Sequence, residues 1–462
     1  MSTTTIAALA TPPGTGGIAI IKISGPAAVA IARSVFKPAD GGRDGFQSHR
    51  LRYGHVIDPA DGRILDEVLV AVMRAPRSYT REDVVEINAH GGPRAVAEIL
   101  KVVLDQGAVL AEPGEFTRRA FLNGRIDLTQ AEAVADLIQA QSEDALQAAV
   151  ALAGGGLKRE VERIQEDCTE LLAEVNAAID FPEEVVLDEA GGPALGRAIE
   201  TRLAAPLRGL AERAAKGRIL REGVSVTIAG RPNVGKSSLM NRLLLRERAI
   251  VTPHPGTTRD IIEERLLVKG IEVRLCDTAG IRASRDPIES AGIGRALEQL
   301  DRADLVLLVL EAHRPVDAGD EAIFSAVRGK PVLPVFNKRD LLAAGAALPE
   351  LPAGWGEAAA VSVSALTGEG LAQLTDAIHR LAGGEGARCA AGAVIPNLRQ
   401  GILLNGCLKA AEAAVEELGR GMPLEIAALH LSEILTGCAQ VLGTRADPDT
   451  LERIFSRFCI GK

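Results

Sequence analysis

The sequence predicts a multidomain α/β plus all-α protein in which an α/β nucleotide domain interrupts a helical one. Three observations predict it. Residues 224–245 read as a buried strand, a glycine-rich turn and a helix, and further short apolar strands follow as far as residue 363. Ala/Glu/Gln-rich stretches with apolar residues three and four apart lie on both sides, at 130–219 and 397–462. Residues 1 to 118 alternate short strands with helices. The simplest arrangement inserts the nucleotide domain into one helical domain through termini that lie close together. The expected bounds are 1–120 for an N-terminal α/β domain, 121–220 and 383–462 for the two parts of the helical domain, and 221–382 for the insert.

In chain order, 18–24 reads as a strand and 26–35 as a short helix. Residues 66–73 and 84–89 are further strands, the first closed by Arg74-Ala75-Pro76. Residues 93–106 form an amphipathic helix, with Pro93 suited to its first turn and Gly107 to its end. The polar, glycine-containing segments 12–17, 90–92 and 112–123 read as loops able to line a pocket. From Leu128 the pattern becomes helical: 130–150, then 157–179 with Leu157, Val161, Ile164, Leu171 and Val175 on one face. Gly154-Gly155-Gly156 separates the two. A third helix runs over 193–219 through Pro206, which is expected to kink it. Glu183, Glu184 and Asp188 read as a solvated loop. Strands are predicted at 224–229, 263–269, 272–276, 304–310, 332–336 and 358–363. Several are apolar on both faces, as in a sheet covered by helices. Residues 383–392 read as a linker, and 403–418 and 423–441 as helices.

Within the insert, Gly230 to Ser237 spell G-x-x-x-x-G-K-S. The glycines allow a tight curl whose N–H groups face inward, and the following helix adds its positive end. Lys236 reaches the β- and γ-phosphates of such a ligand, and Ser237 supplies a hydroxyl to Mg²⁺. Asp277-Thr278-Ala279-Gly280 follows a strand. Asp277 is suited to hold Mg²⁺ through water and the Gly280 amide to sense the γ-phosphate. In Gly256-Thr257-Thr258-Arg259-Asp260, Thr258 is the second hydroxyl for Mg²⁺. The base is chosen by Asn337-Lys338-Arg339-Asp340 and Ser364-Ala365, each after an apolar run. A carboxylate at Asp340 accepts from the N1–H and 2-amino group of guanine. Adenine offers neither donor, so it would leave polar groups unpaired. The residues expected to meet GTP are Asn233, Val234, Gly235, Lys236, Ser237, Ser238, Thr257, Asp277, Gly280, Asn337, Lys338, Asp340, Ser364 and Ala365. Together the five motifs read as a GTP-hydrolysing switch domain and resemble the translation-factor-like class of P-loop GTPases.

Composition is that of an ordinary soluble chain, 24% charged and 47% hydrophobic, with cores built from aliphatic residues because aromatics are only 3%. A formal charge of −9 argues against unspecific coating of DNA or of an acidic membrane. The six cysteines show neither metal-ligand spacing nor a disulfide framework, which suggests a reducing compartment. The N-terminus has no basic region followed by an apolar core, so no export signal is expected. No run reaches the ~18 apolar residues that a membrane span needs.

Beyond the nucleotide motifs, the opening TIAALATPPGTGGIAIIKISG, the block PGEFTRRAFLNGRIDLTQAEAVADLI and the terminal FCIGK resemble the MnmE (TrmE) family of tRNA-modification GTPases, and the resemblance spans the whole chain. It implies a cytoplasmic homodimer joined through N-terminal domains. Those domains have a folate-binding-like fold and hold a tetrahydrofolate derivative that supplies one carbon. It implies an FAD-dependent, NADH-using partner of the MnmG/GidA kind, in a heterotetramer or larger complex. The product would be an aminomethyl or carboxymethylaminomethyl group on C5 of the wobble uridine of certain tRNAs. No membrane or DNA partner is expected.

The resemblance also implies roles for residues. Ile281 follows Gly280 where many small GTPases place a water-orienting Gln, and Glu289 matches the family glutamate that does this work instead. A potassium ion replaces an arginine finger, with Asn233 matching its side-chain ligand and Thr252 and nearby backbone carbonyls completing the shell. Arg259 is expected to pair locally with Asp260. Lys22, Glu82, Arg118 and Arg119 are the folate-binding candidates. Cys459 matches a family cysteine that acts in uridine modification or in site geometry. Four features depart from the family pattern: Thr15 and Lys22 stand where relatives commonly have Arg, Arg81 where they have Gly, and Leu429-His430 where they are more polar. A lysine keeps the charge but loses the bidentate fork of arginine. An rRNA-binding ribosome-assembly GTPase would share the phosphate loop but not the N-terminal block or the cysteine motif. A scaffold with a degenerate site would not keep Lys236, Ser237, Thr258, Asp277, Asn337 and Asp340 together.

Overall fold

The computed structural model describes residues 4–39, 46–181, 191–247, 263–277, 303–343, 346–353, 355, 360–382 and 392–462. The chain divides into two compact units. One comprises Met1–Ala135, Ala153–Ala205 and Gly406–Lys462, the other Asp136–Leu152 and Pro206–Asn405.

In the first unit, β1 (Ile6–Leu9), β2 (Ile18–Ser24), β3 (Phe36–Pro38), β4 (Leu51–Ile57), β5 (Ile64–Met73), β6 (Val84–His90) and β7 (Val109–Leu110) form a sheet ordered β3-β4-β5-β6-β2-β1-β7. All its pairs are antiparallel except β1 with β7. Alternation decides the faces. Ile21, Ile23, Val68, Val70, Val72, Val85 and Ile87 are buried with the helices Ala28–Val35 and Pro93–Asp105. On the opposite face Ile18 of β2, Leu51 and Tyr53 of β4 and Leu69 of β5 stay exposed. An antiparallel sheet tolerates a solvated face, but one carrying this much apolar side chain is an unsatisfied surface.

The segment 112–123, expected as loop, is a correction: Glu115–Leu122 is a helix. Gly114 starts it in the left-handed region, and Phe116 and Ala120, one turn apart, bury its inner face. The expected helix over 130–150 is two, Leu128–Gln139 and Glu143–Ala153, and the Ser142 hydroxyl accepts from Ala145 N at 3.2 Å to start the second. Gly156–Asp180 buries Leu157, Val161, Ile164, Leu171 and Val175 as its spacing required. It packs on Leu424–Leu442, where the Cys168 thiol donates to Leu431 O at 3.3 Å. Near Pro206 the helix does not break. A π-helical turn, Glu200–Ala204, precedes Ala205–Glu222, and such a wider turn accommodates a residue that has no N–H to donate.

In the second unit, β8 (Val224–Ala229), β9 (Glu263–Val268), β10 (Ile271–Asp277), β11 (Leu305–Glu311), β12 (Val332–Asn337) and β13 (Val361–Ser362) form a sheet ordered β13-β12-β11-β8-β10-β9, parallel except for β9 against β10. Of the strand expected over 358–363, Val361–Ser362 is strand, and 358–359 lie outside the described residues. Six successive residues of β11 are buried, as both faces are covered. The core is aliphatic, with Val226, Ile228, Leu239, Leu243, Leu275, Leu307, Val309 and Val335 at its centre. The chain leaves β8 between β10 and β11, where the strand order reverses. In a parallel sheet, that is where the carboxyl ends of the strands open a crevice.

Candidate functional site

The crevice at the end of β8 is filled by the phosphate loop. Gly230 has φ 152° and Gly235 φ 94°, and between them Asn233 is itself left-handed at φ 66°. A Cβ on Gly230 would lie 2.5 Å from Val309 O, and one on Gly235 would lie 2.3 Å from Asn337 Nδ2. The curl is therefore closed to any larger residue at both ends. Helix Lys236–Glu247 begins directly after it, with Ser237 and Ser238 exposed in its first turn. Lys236 is 8% exposed, and its ammonium donates to Gly230 O at 2.8 Å and Arg231 O at 2.7 Å. A buried cation held by its own loop's carbonyls, at the positive end of a helix, is a cradle for an anion. This donor set fits a phosphate chain with a hydroxyl-ligated divalent ion.

The base-side motifs meet this loop through one side chain. Asn337, 2% exposed, donates from Nδ2 to Val234 O at 2.9 Å and accepts at Oδ1 from Ala365 N at 3.0 Å. Three motifs distant in sequence are thus brought to one place, with the Asn337 amide bonded to protein on both sides. Asp340 is exposed and accepts from the Ser364 hydroxyl at 2.5 Å, while Ser364 Oγ also accepts from Thr367 N at 3.1 Å. Lys338 is left-handed at φ 63°, and its ammonium pairs with Glu311. A cavity of about 470 Å³ is lined by Asn233, Val234, Glu311, Arg314 and Lys338, among others. Asp277 ends β10 opposite Ile228 of β8, at the same edge of the sheet. Thr252, Thr257, Thr258, Arg259, Asp260, Gly280, Ile281 and Glu289 lie outside the described residues.

In the first unit the folate candidates separate into two kinds. Arg119 and Glu82, 5% and 9% exposed, pair with each other at 3.1 Å. Arg119 also pairs with Glu115 at 2.8 Å and donates to Thr4 O at 2.8 Å, and Glu82 accepts from Ser24 Oγ at 2.7 Å. This is an internal network with its charges satisfied. Arg118 is exposed, 3.9 Å from Glu112. Lys22 is different: its ammonium lies 5.5 Å from the Tyr79 ring centre and 5.4 Å from that of Phe116, and 3.8 Å from Glu86. Burial pushes its pKa down, against the attraction of Glu86 and with the repulsion of Lys462. A half-desolvated cation between two aromatic faces fits a planar, anionic ligand.

The terminal segment reaches the same place. Gly114 N donates to Cys459 O at 3.4 Å and Phe116 N to Lys462 O at 3.1 Å, and a Cβ on Gly461 would sit 2.3 Å from Leu9 O. The Cys459 thiol is exposed, whereas Cys168, Cys276, Cys407 and Cys438 are buried. Arg81, expected from the resemblance to stand in place of a glycine, is left-handed at φ 58°, a conformation that favours glycine. Its guanidinium donates to Asn123 O at 3.0 Å at the end of helix Glu115–Leu122. Tyr79, Phe116, Glu86 and Glu311 were not singled out by motif. The period-two pairing of Lys22 with Glu86 across β2 and β6 is a signal that could have found Glu86. Among the described residues no helix is long and apolar enough to cross a membrane.

Residues 128–459 match the family model described as MnmE helical domain, and residues 5–125 the one described as GTP-binding protein TrmE N-terminus. The chain is similar to the tRNA modification GTPase MnmE of Moorella thermoacetica, 46% identical over 464 residues and covering 99% of each chain. It is equally similar to that of Syntrophobacter fumaroxidans, 46% over 465 residues, covering 99% of this chain and 98% of the relative. The Chloroflexus aurantiacus protein of the same name is 46% identical over 465 residues, with 99% of each covered.

Proposed function

The chain belongs to the MnmE (TrmE) family of tRNA-modification GTPases, and from that premise we propose how its own residues serve the activity. It hydrolyses GTP, and hydrolysis is coupled to folate-dependent modification of the wobble uridine of tRNA. It works as a cytoplasmic homodimer with an FAD-dependent MnmG/GidA-like partner. The exposed apolar face of the N-terminal sheet supports that pairing, because two copies would cover it. The working units are the N-terminal domain 1–120, the helical domain 121–220 with 383–462, and the GTPase insert 221–382.

In the insert, the amides of Asn233 to Ser238 and the Lys236 ammonium bind the phosphates. Asp340, with Ser364 and Ala365, selects guanine over adenine. Ser237 and Thr258 would hold Mg²⁺ with Asp277 in support, and Asn233 with the backbone near Thr252 would hold K⁺. The two cations would supply positive charge to offset that of the phosphates. Thr257 and Gly280 respond to the γ-phosphate, and Glu289 orients the attacking water where Ile281 cannot. In the N-terminal domain, Lys22 and Arg118 bind the anionic end of the folate while Glu82 and Arg119 hold the wall of its pocket. Cys459, whose carbonyl accepts from Gly114 N beside helix Glu115–Leu122 and whose thiol is exposed, acts in uridine modification or in the geometry of its site. The observation that carries the nucleotide reading is the Asn337 bridge, which supports a single site made from the phosphate loop and both base-side motifs.

The experiment is GTP turnover in potassium against sodium at equal ionic strength, with protein concentration varied. Matched ionic strength removes general screening as a cause. Strong potassium stimulation that grows with protein concentration is expected. An equal, low rate in both salts overturns the cation assignment of Asn233.

A further inference from the structure

We propose that Glu311 is a positioning residue for the base-site lysine: its carboxylate, at the carboxyl end of β11, fixes the Lys338 ammonium and thereby sets how long a guanine nucleotide stays bound. The inference rests on the nucleotide reading of the site and assigns a residue outside all five motifs.

The geometry begins in the sheet. Glu311 is the last residue of β11 and is paired in register with Asn337, the last of β12. Ala312 N donates to Asn337 O at 2.8 Å, so the two strand ends are tied just where both chains turn away. The residue that follows β12 is Lys338, held left-handed at φ 63°. Lys338 lines the same cavity as Asn233, Val234 and Glu311, and its ammonium donates to Glu311 Oε1.

Electrostatics explains why Glu311 can hold it. The side chain of Glu311 is only 16% exposed and that of Lys338 is 30% exposed, so water screens the pair less than it would a surface one. Arg314, one turn on, adds a second cation 3.4 Å from the other carboxylate oxygen. Lys338, then Arg314 and His313, hold the Glu311 carboxyl below the usual range, so it is ionised at neutral pH. A lysine stem has four rotatable bonds, and an anchored ammonium removes that freedom before the ligand arrives. The apolar stem then forms a fixed wall for a planar base. Released, it would have to be ordered in every binding event.

The test uses the full chain and a fluorescent N-methylanthraniloyl GDP with Mg²⁺. Glu311→Gln keeps the shape and removes the charge. The expected result is dissociation about ten-fold faster with association within about two-fold, since loss of an anchored contact acts mostly on release. Glu311→Asp, which keeps the charge, should recover part of the loss. It also carries the comparison if Glu311→Gln lowers stability. The double variant Glu311→Gln/Lys338→Met should release GDP no faster than Lys338→Met alone. Dissociation from Glu311→Gln within two-fold of the parent, or losses that multiply in the double variant, overturns the proposal. A parent that binds the ADP analogue as tightly as the GDP one overturns the guanine reading instead.

Discussion

The side-chain amide of Asn337 lies 2.9 Å from the carbonyl oxygen of Val234, across 103 residues of sequence. That bond, with the one from Ala365 N to Asn337 Oδ1, means that Asn337 holds the shape of the site rather than being read out by a ligand alone. Asn337→Ala would leave the Val234 carbonyl and the Ala365 amide without this partner at a buried position. Each such group costs about 1–3 kcal/mol. The expected outcome is a lower melting temperature of the ligand-free protein together with weaker GDP binding. Differential scanning calorimetry and titration calorimetry on the same preparation measure both. A loss of binding at unchanged stability would assign Asn337 to the ligand instead.

Gly235 tests the same contact from the other side. Its φ of 94° disfavours any L side chain, and a Cβ there would lie 2.3 Å from the Asn337 amide nitrogen. Gly235→Ala must therefore displace either the loop or Asn337. Nucleotide affinity should fall at least about ten-fold, the equivalent of ~1.4 kcal/mol. Gly329, also left-handed but with open space around it, is the control: Gly329→Ala should leave affinity unchanged.

Arg119 and Arg118 are neighbours with opposite expectations. Arg119 is in a buried pair with Glu82, and removing one partner of such a pair costs about 3–5 kcal/mol. Arg119→Met should lower the melting temperature by several degrees. Arg118 is exposed and 3.9 Å from Glu112, itself exposed, so Arg118→Ala should leave stability nearly unchanged. If Arg118 binds folate, that variant loses affinity for a tetrahydrofolate derivative while remaining folded. Equilibrium dialysis beside thermal melts separates the two effects.

What the sequence could show depended on whether the signal was local. The phosphate loop was legible because strand, glycines and helix are contiguous from Val224 to Glu247. Strands β11 and β12 were legible because covered parallel strands are uninterrupted apolar runs. The helix Glu115–Leu122 was read as a loop because its eight residues mix three charges with three strongly apolar side chains and follow a Pro-Gly pair, and its buried Arg119 looks like a surface residue until Glu82 is brought to it. Glu311 was invisible for the same reason: its partner is 27 residues away and the pairing is made by sheet register. The ends of the terminal segment, meeting Gly114 and Phe116, are likewise a property of folding across the chain.

Lys22 gives a pH-dependent prediction whose sign follows from burial. Desolvation lowers its pKa in the folded protein, with Lys462 adding to the effect and Glu86 opposing it. The unfolded chain then holds more protons than the folded one between the lowered pKa and the ordinary lysine value of 10.5. Stability from this group therefore rises with pH across that window. Below the window, Lys22 is charged in both states and its buried charge is a standing cost. Lys22→Met, which keeps the length and removes the charge, should melt at a higher temperature than the parent at neutral pH. The gap should close as pH rises toward 10.5. The same variant should lose affinity for the anionic folate at neutral pH, where the parent's ammonium is present. A parent more stable than Lys22→Met throughout would mean that the Glu86 pair and the two aromatic faces outweigh desolvation, and would remove the physical basis for treating Lys22 as a cation held ready for a ligand.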